Sequence, residues 1–453
     1  MTSGRFQNPE FRSRKRRFLP LVLFCSVSVA ASTWELPTSA DRPYLKAAVE
    51  VAKWLESTAV KTEHGLTWTA VPGDPSTVTS NLYSGSAGVA LFFLEAHRAT
   101  GDRRYLEQAR AAADHIATTF DETTDSGLYT GLAGLCYTLG ETARATGVRA
   151  YSSAARRCAV RLRERAKKIG AGIEWSDTTD IIGGGAGIGL FLLYAAREFD
   201  GAASRDAAIQ AGRRLVSLAR QESTGLSWRM NPTFPRVMPN FSHGTAGIAY
   251  FLATLAAETR QKEFLKPAIE GARHLQSIAT TANDVCLVMH NAPAGTDLYY
   301  LGWCHGPAGT ARLFYQLHRV TGAAEWRTWV ERSARGILTS GIPETQTPGF
   351  WNNVGQCCGS AGVGEFFLAL HRAGGRQDYL AFARRLTDNL LTRGTRDASG
   401  LRWTHAEHRV RPELLQAQTG FMQGAAGIGT WLLHLDDFEQ ERLPLLRLPD
   451  APY

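Results

Sequence analysis

The chain has 453 residues, of which 44% are hydrophobic and 20% are charged, and its formal net charge at pH 7 is +8. This composition describes a globular protein with ample core rather than a disordered or fibrous chain. Several of the positive charges lie in one cluster, Arg12–Arg17, so the net charge does not indicate binding to nucleic acid.

The basic cluster is followed by an apolar run, from Phe18 to Ala31, that ends in small residues. A basic region, a short apolar region and small residues are typical of a secretory signal peptide. The run is too short for a stable membrane span, which needs about 20 residues. We therefore predict a signal peptide or a disordered N-terminal tail over residues 1–33. A working signal implies export, and otherwise we expect a cytoplasmic protein.

A glycine motif, Gly-x-Ala-Gly, recurs seven times through the rest of the chain, at intervals of 46 to 65 residues. Its first glycines are Gly85, Gly131, Gly184, Gly244, Gly306, Gly359 and Gly424. Each copy opens a segment that is apolar on nearly every side, and a helix of that kind is buried all round. The glycines allow such a helix to begin where backbones crowd. Repetition on this scale indicates one repeat architecture.

A longer amphipathic segment precedes each buried one, with charged residues between apolar residues at helical spacing. These predicted helices span 44–57, 105–120, 151–168, 204–221, 264–280, 326–339 and 379–392. Seven outer helices thus alternate with seven inner helices, and no change in composition divides the mature chain. We predict an all-α fold, a closed α/α toroid (barrel) of seven helical hairpins, as one domain over residues 34–453.

A second motif, Gly-x-x-Trp, lies in the connections from outer to inner helices. It occurs at Gly65–Trp68, Gly172–Trp175, Gly225–Trp228 and Gly400–Trp403, and one residue shorter at Gly349–Trp351. These connections exceed the usual four to six residues. They either form the mouth of a site or cap the inner helices and bury one tryptophan each. For most of them we favour the second interpretation.

The seven cysteines do not form the pattern of a disulfide framework. Cys25 lies in the predicted signal peptide. Cys136, Cys158 and Cys286 are scattered in apolar helical contexts, where free buried thiols are expected.

The last three cysteines differ, because they stand directly ahead of the glycine motif in two neighbouring repeats. Cys304 precedes the fifth copy, and Cys357 and Cys358 precede the sixth. Thiolates are good zinc ligands, and catalytic zinc sites have three protein ligands and one open position. We therefore predict a zinc ion (Zn2+) held by these three residues. A vicinal disulfide and buried free thiols are the alternatives.

These repeats, with Trp303-Cys304-His305-Gly306 in the fifth and Cys357-Cys358-Gly359 in the sixth, resemble the lanthionine synthetase C-like (LanC-like) family from Tyr44 to Leu433. The resemblance implies an α/α toroid with a central zinc ion. In the family's enzymes it implies addition of a thiol to a dehydrated Ser or Thr residue. The third zinc ligand of the cyclases is usually histidine, so this chain resembles a stand-alone member with a three-cysteine site.

The resemblance also implies catalytic residues. His243 matches the active-site histidine of the family, which we expect to act as acid or base, and Asp180 matches the aspartate that would orient it. A helix cap is the alternative role for Asp180, and a structural histidine is the alternative for His243. His305, where bacterial cyclases usually carry tyrosine, would polarise an enolate or donate a second proton. Tyr300 replaces an arginine that the cyclases tend to carry.

The implied function is that of a zinc-dependent cyclase in lanthipeptide biosynthesis, which adds a Cys thiol to dehydroalanine or dehydrobutyrine to form a thioether. Its substrate would be a peptide with dehydrated Ser or Thr and a free Cys. Tyr300 and the predicted export favour an alternative, a LanC-like protein that binds zinc and a glutathione-like thiol or a peptide. A toroidal glycoside hydrolase would need paired axial carboxylates, where this chain has Cys and His. We expect a monomer.

Overall fold

Seven pairs of α-helices follow one another in the computed structural model, which describes residues 42–453. The predicted signal peptide over residues 1–33 lies outside the described residues. The outer helices are α1 (Pro43–Ser57), α3 (Arg103–Thr119), α5 (Arg149–Glu164), α7 (Gly201–Ser217), α9 (Leu265–Ile278), α11 (Ala324–Leu338) and α13 (Gln377–Thr392). The inner helices are α2 (Ser86–Thr100), α4 (Leu132–Thr146), α6 (Gly185–Ala195), α8 (Thr245–Thr259), α10 (Pro307–Thr321), α12 (Ser360–Gly374) and α14 (Ala425–Glu439).

The two sets of helices differ in burial as their sequences predict. The inner helix α6 is buried from Ala186 to Ala195 without interruption. The outer helix α5 buries one face, through residues such as Tyr151, Cys158 and Leu162, and carries arginines elsewhere. Burial of a Leu or Phe side chain stabilises the fold by about 1.5–3 kcal/mol, so the inner ring supplies most of the core. The predicted α/α toroid is confirmed.

The glycine motif performs two tasks at the start of every inner helix. Its first glycine is the N-cap residue, as Gly306 is for α10. Its second glycine lies against the loop that leads into the helix. A Cβ atom on Gly309 would overlap the backbone carbonyl of Trp303, so a side chain there would push the loop away. The same overlap occurs in each repeat, and it explains why the motif recurs.

A closed ring of backbone hydrogen bonds, which we call the belt, joins the loops ahead of the inner helices. Its seven bonds, amide donor first, are Tyr83 to Tyr129, Tyr129 to Ile182, Ile181 to Ser242, Ser242 to Cys304, Cys304 to Cys357, Cys357 to Met422 and Met422 to Tyr83, at 2.8–3.2 Å. The last bond returns to the first repeat, and α14 packs against α1 and α2 to close the toroid. The belt fixes the backbone of each repeat against its two neighbours.

Short antiparallel hairpins fill four of the connections from outer to inner helices. They are β1 (Val60–Thr62) with β2 (Gly65–Thr67), β3 (Lys167–Ile169) with β4 (Gly172–Glu174), β5 (Arg220–Gln221) with β6 (Leu226–Ser227), and β7 (Thr395–Asp397) with β8 (Gly400–Arg402). The tryptophan after each hairpin donates its indole N–H to a leucine carbonyl thirteen residues earlier, as Trp68 does to Leu55 at 2.8 Å. These tryptophans therefore cap the outer helices, whereas the sequence predicted caps on the inner ones. The predicted ends of α5 and α7 are too late, because strands begin at Lys167 and Arg220.

Two of the cysteines expected to be free form a disulfide, Cys136–Cys158. Cys136 lies on inner helix α4 and Cys158 on outer helix α5, with their Cα atoms 5.4 Å apart. The expectation of free thiols is wrong here because the packing of the two helices brings these faces together. Cys286 is buried and free, as expected. No helix between residues 42 and 453 has the length and hydropathy that a membrane span requires.

Candidate metal centre and active site

The belt places three thiols from two repeats side by side. The Cys304 amide donates to the Cys357 carbonyl at 3.0 Å, and Cys358 follows in the same loop. The three sulfur atoms all lie within 4.8 Å of one another, and Sγ of Cys304 is 3.0 Å from Sγ of Cys358. All three thiols are free. The vicinal disulfide considered for Cys357 and Cys358 is therefore not formed.

The three clustered thiols differ in their pKa values. The pKa of Cys357 lies well below its ordinary value, because the thiols of Cys304 and Cys358 and the Tyr83 hydroxyl hydrogen-bond to its sulfur. Burial raises the pKa of Cys304, and hydrogen bonds with the other two sulfurs raise that of Cys358. The cluster thus favours one thiolate, at Cys357, before any cation arrives. A buried negative charge of this kind attracts a cation.

The donor set fits a zinc ion. Zinc–sulfur bonds of about 2.3 Å in tetrahedral geometry place two sulfur ligands about 3.8 Å apart. One pair of sulfur atoms here is 3.0 Å apart and no pair is more than 4.8 Å apart, a range that includes this spacing. Three thiolates also suit zinc better than hard cations such as Mg²⁺ or Ca²⁺, which prefer oxygen ligands. These three cysteines can therefore hold a metal ion, with a fourth ligand position left for another group.

A cavity of about 260 Å³ lies over the thiols. Besides the three cysteines, its wall includes Tyr83, His243, His290, Tyr300, His305, Trp351 and residues 407–410. Thiols, imidazoles and hydroxyls dominate this wall, and Glu407 is the only carboxylate that the described residues contribute to it. The paired carboxylates of a glycoside hydrolase are therefore not present among the described residues that line this cavity.

His243 faces the cavity and is held from behind by Asp180. Nδ1 of His243 lies 2.6 Å from Oδ2 of Asp180, which is almost fully buried. Burial alone would lower the pKa of His243, but the hydrogen bond and charge of Asp180 outweigh burial and raise it. Oδ1 of Asp180 accepts the amides of Gly183 and Gly184 at 2.9 and 3.0 Å. Asp180 therefore holds both the His243 ring and the turn that precedes α6. It is not the cap considered for it, because the N-cap residue of α6 is Gly184, without a side-chain cap.

His305 completes a row of three histidines. Its ring centroid lies 5.4 Å from that of His243 and 4.4 Å from that of His290. Burial and the two neighbouring imidazoles lower the pKa of His305 well below its ordinary value. Burial also lowers the pKa of His290, to about 4. Both rings are therefore neutral at pH 7, and Nδ1 of His305 has no hydrogen-bond partner among the described residues.

A guanidinium group reaches the cavity from outside the repeat pattern. Arg409 lies in the loop between strands β9 (Thr404–Ala406) and β10 (Leu415–Ala417), and its Nε lies 3.4 Å from the Tyr300 hydroxyl. No carboxylate in the described part of the chain forms an ion pair with Arg409. A positively charged side chain from a different segment thus lies beside Tyr300 at the cavity wall.

The structure brings Cys304, Cys357, Cys358, His243 and His305 to one cavity, with Asp180 directly behind His243. Sequence reasoning missed Tyr83, His290 and Arg409. Tyr83 could have been found, because it stands two residues before the first motif glycine, as Cys304 and Cys357 do in their repeats. His290 and Arg409 lie in irregular loops without a repeat position, and no sequence signal marks them.

Comparisons with known proteins agree with this architecture. A family model described as lanthionine synthetase C-like protein matches residues 76–448. Nisin cyclase is similar in structure at 15% identity and a TM-score of 0.64, with 91% of this chain and 97% of that chain covered. The Lin0763 protein from Listeria innocua is similar at 13% identity and a TM-score of 0.51, with 88% and 99% covered. At these identities the two structures show a common fold.

Proposed function

The chain belongs to the lanthionine synthetase C-like family, and we propose that it is a zinc-dependent enzyme that adds a cysteine thiol to dehydroalanine or dehydrobutyrine in a peptide, which forms a thioether. One observation carries this proposal, namely that three clustered thiols and the His243–Asp180 pair serve the same cavity. The similarity to nisin cyclase supports a cyclisation reaction.

Zinc at Cys304, Cys357 and Cys358 would supply a Lewis acid that lowers the pKa of an incoming thiol. Three thiolate ligands carry three negative charges, so the site as a whole favours release of a nucleophilic thiolate toward the substrate. Burial of all three cysteines, none more than 9% exposed, keeps water away from them and strengthens these electrostatic effects.

The reaction moves one proton, and we assign its transfer to His243, which lines the cavity. The substrate sulfur forms a bond to the β-carbon of the dehydrated residue, the carbon–carbon double bond is lost, and the α-carbon gains a proton. Because Nδ1 of His243 is bound to Asp180, Nε2 is the nitrogen free to exchange a proton. Neutral His243 can accept the proton that the thiol releases, and the raised pKa of His243 favours the imidazolium form that results. That imidazolium can then protonate the α-carbon.

Two further residues are suited to stabilise the substrate's carbonyl oxygen, on which negative charge develops during the reaction. His305 is neutral and lines the cavity, so it can donate one hydrogen bond to this oxygen. Arg409 carries a permanent positive charge at the cavity wall. Donors fixed in advance at the site of developing charge lower the barrier of such reactions.

The second candidate function is binding of a small thiol. It is favoured by the guanidinium of Arg409, which forms no ion pair within residues 42–453. A glutathione-like thiol carries carboxylates, and arginine binds carboxylates well. In that case the thiol would come from a separate molecule and the reaction would be intermolecular.

The test uses the purified full chain with a peptide that contains one dehydroalanine and one Cys. Cyclisation leaves the mass unchanged, so the peptide is alkylated afterwards, and loss of the alkylation mass shift reports thioether formation. We expect about one zinc per chain, and loss of zinc and activity in Cys304→Ala. Cys286→Ala removes a buried thiol elsewhere and serves as the control. A wild-type chain that holds zinc but consumes only added small thiols would favour the second candidate, and a chain without zinc or either reaction would contradict both.

We also propose that the protein is exported. The signal-like segment over residues 1–33 and the Cys136–Cys158 disulfide support this, because stable disulfides are typical of oxidising compartments. Expression of the full chain in its host, followed by N-terminal analysis of the secreted protein, tests the proposal. A full-length N-terminus on protein that stays in the cytoplasm would contradict it.

A further inference from the structure

Residues 443–453, which we call the strap, follow α14 and close the end of the toroid opposite the glycine motifs. Side chains from the C-terminal halves of three inner helices hold its backbone. The bonds, donor first, are the Leu445 and Leu446 amides to Glu95, Arg144 to the Leu445 carbonyl, and Arg319 to the Pro452 carbonyl, at 2.6–3.2 Å. The strap is therefore bonded to the toroid along its length rather than lying loosely on it.

Asp450 is the most deeply buried residue of the strap, with 0% exposure. Its Oδ1 accepts the Tyr129 hydroxyl at 3.1 Å, and its Oδ2 accepts Nε1 of Trp303 and Nη1 of Arg312, both at 3.0 Å. The contact with Arg312 is an ion pair between two buried groups. Every contact of this carboxylate lies inside the toroid.

The partners of Asp450 belong to the belt. Tyr129 is a belt residue of the second repeat, and Trp303 immediately precedes the belt residue Cys304 in the fifth. Their rings lie 5.3 Å apart in an edge-to-face arrangement. Belt hydrogen bonds connect only neighbouring repeats, whereas Asp450 connects two repeats that are not neighbours. It thereby restrains the fifth repeat at the residue next to a predicted metal ligand.

We propose that Asp450 is a positioning residue for the metal centre, since it holds the Trp303 indole and so fixes where the Cys304 sulfur lies relative to Cys357 and Cys358. This inference rests on the proposed zinc site. The belt bond to Cys357 restrains Cys304 from one side, and the Trp303–Asp450 bond restrains it from the other. Metal–ligand distances tolerate changes of only about 0.2 Å. Loss of such an orienting bond typically weakens metal binding about 10- to 100-fold.

The experiment compares three variants of the full chain. Asp450→Asn removes the charge and Trp303→Phe removes the indole N–H that Asp450 accepts. Tyr137→Phe is the matched control, because it breaks a different bond of the strap, the 3.0 Å bond to the Arg447 carbonyl, without touching Trp303. Zinc affinity is measured by competition with a chromophoric chelator, the ligand geometry by the absorption spectrum of the Co²⁺-loaded protein, and the fold by thermal unfolding.

We expect Asp450→Asn and Trp303→Phe to weaken zinc binding about tenfold or more and to shift the Co²⁺ spectrum, while Tyr137→Phe changes neither. Equal losses of thermal stability in all three variants with unchanged affinity and spectrum would overturn the proposal, because the strap would then be structural only. If the wild-type chain binds no metal, the proposed function fails. The role of Asp450 is then tested separately, by the rates at which Cys304 and Cys286 are alkylated in the metal-free protein. In Asp450→Asn, a change in the alkylation rate of Cys304 relative to that of Cys286 would support the positioning role of Asp450. An unchanged ratio of the two rates would overturn it.

Discussion

Five of the six cysteines in the described part of the chain occupy two regions that use the thiol group in opposite ways. On the helix pair α4 and α5, Cys136 and Cys158 face each other and are joined by a bond. At the belt, the thiols of Cys304, Cys357 and the adjacent Cys358 lie within 4.8 Å of one another and stay free. A short distance between two cysteines therefore does not by itself determine whether they form a disulfide.

The surroundings of the two sets explain the difference. Cys136 is fully buried among the apolar residues of α4, so its thiol has one chemical partner, the thiol of Cys158. Each belt thiol has several polar neighbours, including the Tyr83 hydroxyl that hydrogen-bonds to Cys357. Helix packing brings two side chains together and produces a crosslink, whereas the belt gathers groups from several repeats and produces a ligand set. The belt thiols and their cavity therefore form a chemical region, and the helix pair α4 and α5 forms a structural one.

The largest effect is expected for His243→Ala, in the chemical region. Loss of a group that transfers a proton reduces a reaction rate about 10²- to 10⁴-fold. The thiols are untouched, so zinc content and the circular dichroism spectrum should match the wild type. The rate of thioether formation by alkylation and mass analysis is the measurement. A rate within threefold of the wild type would show that His243 has a structural role only.

Next in size is Cys136→Ser, in the structural region. The disulfide closes a loop of 22 residues, and its loss should lower the free energy of unfolding by about 3 kcal/mol. Urea unfolding measures this change. Because α4 and α5 contribute no ligand, the zinc content and the rate of the folded variant should be unchanged. Loss of zinc from a folded Cys136→Ser protein would break the separation of the two regions.

Asp180→Asn should reduce the rate at neutral pH about tenfold or more, through two physical effects. The amide cannot provide the negative charge that raises the pKa of His243, and its NH2 group would donate to Nδ1 and so favour the wrong tautomer. The imidazolium form exists below its pKa, so the rate falls as pH rises through that pKa. In the variant this decline should begin at lower pH. A pH–rate profile with an unmoved alkaline limb would contradict the assigned role.

The smallest effect is expected for Arg409→Gln, which tests whether a segment outside the belt belongs to the chemical region. Loss of the guanidinium should raise KM about three- to tenfold, because a charge-assisted hydrogen bond at a half-exposed position contributes about 1 kcal/mol. Arg411→Gln, two residues further along the same loop and exposed, is the matched control. Equal values of KM in both variants would exclude Arg409 from the substrate site.

The repeat architecture and the predicted ligand set follow from the amino-acid sequence without further information. Helical spacing and the seven glycine motifs are local patterns. The residue two positions before the first glycine of each motif occupies the same place in every repeat. For that reason the motif spacing alone predicts that Cys304 and Cys357 lie side by side, and the belt bond between them agrees. The assignment of His243 and Asp180 as site residues rested instead on the family resemblance.

Other contacts are not encoded by the repeat and depend on how the whole chain packs. The pairing of Cys136 with Cys158 depends on which faces of α4 and α5 meet, and this follows from packing angles rather than from spacing. Arg409 reaches the cavity from an irregular hairpin loop, and Asp450 reaches Trp303 across 147 residues of sequence. A contact of this kind depends on the position of a whole segment in the folded chain. The free energy of the complete fold sets this position, and no local sequence pattern does.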